Sequence, residues 1–235
     1  MPKLGVSSKP FSSLRQLSSS HVRVIELNTG MSQLLFSDIK KVKPLLKGFD
    51  ISVHSKVTML FEDDDAGLET LRSEVRLCTK LGAKELVFHT KHEKLNKDEA
   101  DKMRDIIEFA RLKGVDMLYE SNGIIIADVA LDFLSRIPCG YVLDMGHLNN
   151  GVGRGMLGMK LDDFLNRIRG RVVYIHANSN NGRKDQHIAL RDGTLDWKHV
   201  LSELDMGSIR RIISETRTHE DDIKNLEDIR DYLGL

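Results

Sequence analysis

Residues 84–123 read KELVFHTKHEKLNKDEADKMRDIIEFARLKGVDMLYESNG. The run Leu86-Val87-Phe88 ends on His89, and Met117-Leu118-Tyr119 ends on Glu120. Between them, Asp98 to Gly114 carries apolar residues at helical spacing and closes on Lys113 and Gly114, as helix C-termini do. Both apolar runs are almost continuous, which is expected of parallel strands covered on both faces. The stretch therefore predicts a strand, a helix and a second, parallel strand. The same kind of run recurs upstream in LGVSS (4–8), VRVIELNTG (22–30) and FDISVHSKV (49–57). Downstream it recurs in CGYVLDMGH (139–147), RVVYIHANS (171–179) and IRRIISETRT (209–218). Eight strand-and-helix units of roughly 25–30 residues predict a (β/α)8 TIM barrel, with residues 1–235 as one domain.

Two units depart from the pattern. The Ser-rich KPFSSLRQLSSS (9–20) has to supply the first helix, and LNNGVGRGMLGMK (148–160) predicts a long, mobile Gly-rich loop over the barrel mouth. The acidic EDDDA at 62–66 suits a solvated lead-in to a helix N-terminus. GRGMLG (153–158) fits the dinucleotide pattern GxGxxG but does not directly follow a strand, so it is set aside. Trp197 is expected to pack a helix.

A hydrophobic share of 40% with 30% charged residues places the chain among soluble globular proteins. No apolar run reaches the roughly 20 residues that span a bilayer, and the first residues lack the apolar centre of a secretory signal. A cytoplasmic location without a membrane partner is the expectation. Two cysteines, Cys78 and Cys139, cannot build a disulfide framework and are expected to be buried thiols. A formal net charge of zero excludes a global field drawing the protein to nucleic acid, so any such contact needs a local patch.

The active site of such a barrel lies at the C-terminal ends of its strands. Those ends carry His54, His89, Glu120, Asp144 with His147, His176 with Asp185 and His187, and Glu215. Each residue alone could be a loop cap. Together, side chains of this kind at one rim would repel one another unless cations occupied their lone pairs. Five imidazoles and four carboxylates, with no thiolate, match zinc, manganese or iron. Asp185 and His187, two apart in extended backbone, can chelate one ion. Asp144 and His147 can serve neighbouring ions, and Glu120 could bridge two.

The motifs VHS, VFHTK, YESNG, LDMGH, IHANSNNGRKDQH and SETRT, in this order from about residue 50 to the end, resemble the xylose-isomerase-like TIM barrels and, within them, the endonuclease IV group. The resemblance implies three zinc ions per chain. His54, His89 and Glu120 would hold the first. Glu120, Asp144, His176 and Glu215 would hold the second, and His147, Asp185 and His187 the third. It further implies Glu120 and Glu215 as catalytic residues, and hydrolysis of DNA on the 5′ side of an abasic site. Among basic residues near the mouth (Lys91, Lys94, Arg154, Arg183, Lys184, Arg217), Arg183, Lys184 and Arg217 are the preferred phosphate contacts. The chain lacks the group's His-containing, Gly-rich first loop, and has Ser179 and Gln186 where the group has Asp and Arg.

Two other readings compete. Relatives on this barrel isomerise or epimerise small sugars with one divalent ion on residues matching Glu120, Asp144, His176 and Glu215, the two Glu shuttling a proton. That reading leaves His54, His89, Asp185 and His187 without a task. A metal-binding module without turnover is the third reading, and the complete ligand set speaks against it.

Overall fold

All eight predicted strands form. The computed structural model describes residues 1–8, 22–30, 39–61 and 66–235. The strands are β1 (Lys3–Ser8), β2 (Val24–Asn28), β3 (Asp50–His54), β4 (Glu85–His89), β5 (Asp116–Glu120), β6 (Gly140–Asp144), β7 (Val172–Ala177) and β8 (Arg211–Ser214). Each pairs in parallel with its sequence neighbours, and β1 pairs with β8, closing a TIM barrel. The helices are α1 (Ile39–Val42), α2 (Ala66–Leu81), α3 (Lys97–Leu112), α4 (Ala127–Arg136), α5 (Met145–Gly153), α6 (Leu161–Ile168), α7 (Trp197–Glu203) and α8 (His219–Leu233). The expected Ser-rich first helix and most of the acidic lead-in lie outside the described residues.

The predicted strand–helix–strand unit shows why these residues fold this way. An Asn96 side chain accepts from the Glu99 amide at 3.0 Å while Glu99 accepts from the Asn96 amide at 2.8 Å, a reciprocal cap that starts α3. Ala100, Met103, Ile106, Ile107 and Ala110 make its buried stripe. Gly114, at φ +70°, adopts the left-handed turn that lets the chain enter β5. Side chains alternate across each strand, so one face feeds the layer between strands and helices and the other fills the barrel. Val24, Val87, Leu118, Val142, Tyr174 and Ile213 form the apolar layer inside. Two residues further along each strand, on that same inner face, come Glu26, His89, Glu120, Asp144, His176 and Glu215. The apolar layer thus supports a polar rim. Below it, buried Arg211 contacts Glu85 through Nε and donates from Nη2 to Asp50 at 2.6 Å, closing the N-terminal end.

The first part of the expected Gly-rich loop after β6, 148–153, is helix, and 154–160 are irregular. Asp144 accepts from the His147 amide at 2.7 Å and caps α5, whose residues Met145 to Gly151 are buried. The glycines there permit close packing. A Cβ on Gly146 would stand 2.0 Å from Asn178 Oδ1, and one on Gly151 would stand 2.5 Å from the Ile125 carbonyl oxygen. Trp197 opens α7 and packs edge-on against Tyr232, as expected of a helix-packing residue. Cys78 and Cys139 are free and buried.

Candidate metal centre

The nine rim residues meet. His54 arrives at the end of β3, His89 of β4, Glu120 of β5 and Asp144 of β6, with His147 one helical turn into α5. His176 lies near the end of β7, and Glu215 directly follows β8. Potential ligand atoms lie within 4.8 Å of one another in the groups His54/His89/Glu120, Glu120/Asp144/His147, Asp144/His176/Glu215 and His147/Asp185/His187. Glu120 stands between them: Oε2 is 3.2 Å from both His54 Nε2 and His176 Nδ1, and Oε1 is 3.2 Å from His147 Nδ1.

The second nitrogen of four imidazoles decides which way each points. His54 Nδ1 lies 3.0 Å from the Ser55 carbonyl oxygen, His89 Nδ1 3.2 Å from that of Glu120, and His187 Nδ1 2.9 Å from that of Glu215. Carbonyl oxygens only accept, so each Nδ1 carries hydrogen and each neutral ring turns a bare Nε2 inward. His176 is reversed: Nε2 faces Glu26 at 3.1 Å and Nδ1 faces the centre. The bare nitrogens of His54 and His89 are then only 3.2 Å apart beside the Glu120 carboxylate. His147 Nδ1 and His176 Nδ1 are buried without a hydrogen-bond partner. Lone pairs aimed at lone pairs need a proton or a metal cation between them, and a nitrogen and oxygen donor set suits a borderline divalent ion. The residues present fit a metal.

The electrostatics carry the same message. Burial pushes His54 down, but its hydrogen bond to Glu120 and the charges of Glu26, Glu120 and Glu215 more than offset this and hold it up at about 9. Burial dominates at His89 and lowers it to about 3. Against burial, Asp185 and neighbouring carboxylate charges raise His187 to about 9. Burial opposes ionisation of Glu120, yet the surrounding imidazoles hold it well below the usual carboxylate range. Without a metal, this much negative charge retains protons. His187 also has a left-handed φ of +48°, uncommon for a residue with a side chain, and this conformation accompanies its Nδ1 bond to Glu215.

Sequence reasoning missed two participants. Asn178 donates to Asp144 Oδ2 at 2.6 Å. Glu26, fully buried on β2, faces His176, and its Oε1 has no hydrogen-bond partner. An acid inside the apolar run VIEL was the available signal, because period-two alternation puts it on the same face as Val24, inside the barrel. Of the basic residues, Lys91 is paired with Glu99 at 2.6 Å and Lys94 with Asp128 at 2.7 Å. Arg183, Lys184 and Arg217 are exposed. The first two immediately precede Asp185, and the Arg217 amide donates to the His187 carbonyl at 3.0 Å.

A family model described as a xylose isomerase-like TIM barrel matches residues 23–233. The uncharacterized protein MJ1311 of Methanocaldococcus jannaschii is 28% identical over 97 residues, 41% of this chain. That match spans about a third, 32%, of the curated relative's length. Among solved structures, a D-tagatose 3-epimerase-like protein is similar at TM-score 0.79 and 19% identity, covering 99% of this chain and 97% of that one. The IOLI protein with a bound zinc atom is similar at TM-score 0.73 and 16% identity, covering 99% and 98%. At such identities the two structures show a shared fold.

Proposed function

As the chain belongs to the xylose isomerase-like TIM barrel family, we propose that it is a metal-dependent enzyme that holds a cluster of divalent ions on nine side chains and hydrolyses a phosphate ester. One observation carries this reading: His54 with His89, and His147 with Asp185 and His187, flank the four-residue core Glu120, Asp144, His176 and Glu215 at ligand-atom spacing. A single-ion enzyme requires only the core. Divalent ions held there supply Lewis acidity, acidifying water and drawing charge from phosphate oxygens. The chain's own residues do the rest. Glu120 joins the groups through its two oxygens. Asn178 and the His147 amide hold Asp144, and the buried walls keep bulk water from Glu120 and Asp144. Arg183, Lys184 and Arg217 are the proposed phosphate contacts beside the third group. Zinc is the proposed ion, and DNA with an abasic site is the first substrate to test.

A second reading, isomerisation or epimerisation of a small ketose, has its own support. Glu120 Oε2 and Glu215 Oε2 stand 3.2 and 3.5 Å from His176 Nδ1, two carboxylates beside one ligand nitrogen. The printed name of the D-tagatose 3-epimerase-like neighbour favours this reading over DNA cleavage. Elemental analysis of protein purified without chelators, paired with assays on an abasic-site duplex and on a ketose panel, separates the two. The proposal expects more than one ion per chain and cleavage of the duplex. One ion per chain with epimerised ketose would replace it with the second reading.

A further inference from the structure

Three imidazoles of the centre anchor their second nitrogen on a neutral backbone carbonyl, whereas His176 anchors its own on the carboxylate of Glu26. Neither ring nitrogen of His176 is solvent-exposed, and Glu26 is fully buried beneath it. The direction of the hydrogen bonds is fixed along a chain of side chains. Tyr174 donates its hydroxyl hydrogen to Glu26 Oε2 at 2.7 Å. With that hydrogen committed, Ser52 Oγ is the donor in its 2.8 Å contact with the Tyr174 oxygen. An ionised Glu26 accepts only, so His176 donates to it from an Nε2–H and Nδ1 is left bare.

We propose that Glu26 is a positioning residue of the metal centre: it fixes the Nε2–H tautomer of His176 and, through its charge, makes Nδ1 a stronger donor to the ion held with Asp144 and Glu215. A carboxylate behind a ligating imidazole raises the basicity of the ligand nitrogen, which a carbonyl does less strongly. Glu26 also lies with His54 and His176 in a group of atoms within 4.8 Å, so its charge reaches the first pair of imidazoles as well. The inference rests on the metal-binding part of the function proposed above. It does not depend on the number of ions or on the reaction, since His176 belongs to the core in both readings.

The test uses cobalt(II) as probe, with affinity read by chelator competition and by its visible absorption. Glu26→Gln keeps the shape and an acceptor oxygen while removing the charge. The cobalt class held with Asp144 and Glu215 is expected to weaken by about 10–100-fold, and the class beside His54, which the same charge reaches, by less. A purely space-filling Glu26 predicts lower thermal stability with wild-type affinity in every class, and that result would overturn the inference. Should the variant not fold, side-chain nitrogen NMR of the cobalt-free, zinc-loaded wild-type protein decides the matter. Hydrogen on His176 Nε2 supports the assignment, and hydrogen on Nδ1 overturns it. A wild-type count of one ion would sink the cluster reading and leave the role of Glu26 standing, whereas unchanged affinity in Glu26→Gln would do the reverse.

Discussion

At the level of single residues, protons would compete with the proposed metal for the same nitrogens. His54 and His187 sit at about 9 in the metal-free protein, so each has a proton to lose before its Nε2 can accept an ion. Metal affinity is therefore expected to rise with pH up to about 9 and then level off, with protons released on binding. Calorimetry in buffers of different ionisation enthalpy measures that release; an affinity independent of pH between 6 and 9 would exclude these imidazoles as ligands. Stability of the metal-free protein has its own sign. The proton on His54, raised from 6.5 to about 9, stabilises the fold fully below 6.5 and ceases to do so as pH rises through 9. His89, lowered from 6.5 to about 3, works the other way and costs stability as pH falls below 6.5. The metal-free protein is expected to melt highest near pH 6.5, and the metal-loaded protein to show a flatter profile, by calorimetry across the same range.

Helix α5 shows how an element can be hidden by its composition. Glycine lowers helix propensity, and three glycines in the nine residues Met145–Gly153 read as a loop. What forms the helix is a cap supplied by Asp144 and a bed of neighbours that only glycine can approach. Gly146→Ala would drive a methyl group into Asn178 and, through the Asn178 bond, disturb Asp144. A loss of about 1–3 kcal/mol in urea unfolding is expected, together with weaker metal binding. Unchanged values for both would mean that this packing has slack. The capping residue Asp144 and the first-turn residue His147 are also proposed ligands, so this helix start and the site are one piece of structure.

The whole barrel divides stability from chemistry along its axis. The C-terminal rim gathers the imidazoles and carboxylates, while Arg211, Glu85 and Asp50 close the opposite end beyond the apolar layer. Arg211→Met leaves Glu85, 4% exposed, without that guanidinium. Glu85 keeps Arg210 Nε at 3.2 Å, so the expected loss is that of a hydrogen bond to a charged group, about 1.5–3 kcal/mol in unfolding free energy, with metal affinity unaltered in the folded protein. Chelator competition on the folded variant checks the second half; a matching fall in affinity would mean the two ends are coupled. Among the described residues no helix is long and apolar enough to cross a membrane.

The eight strands and the convergence of nine polar residues at one rim were legible in the sequence, because a buried parallel strand must be apolar along its length and a polar end must break that run. KELVFHTK and VDMLYESNG announce both facts within a few residues. Period, however, reports which face a side chain takes and not what stands opposite it. Glu26 and His176 are separated by 150 positions and meet only because the barrel closes. The same holds for Asn178 on Asp144 and for the glycines of α5. Their partners are fixed by contacts between distant strands and loops, so the tautomers, the caps and the close approaches belong to the tertiary structure alone.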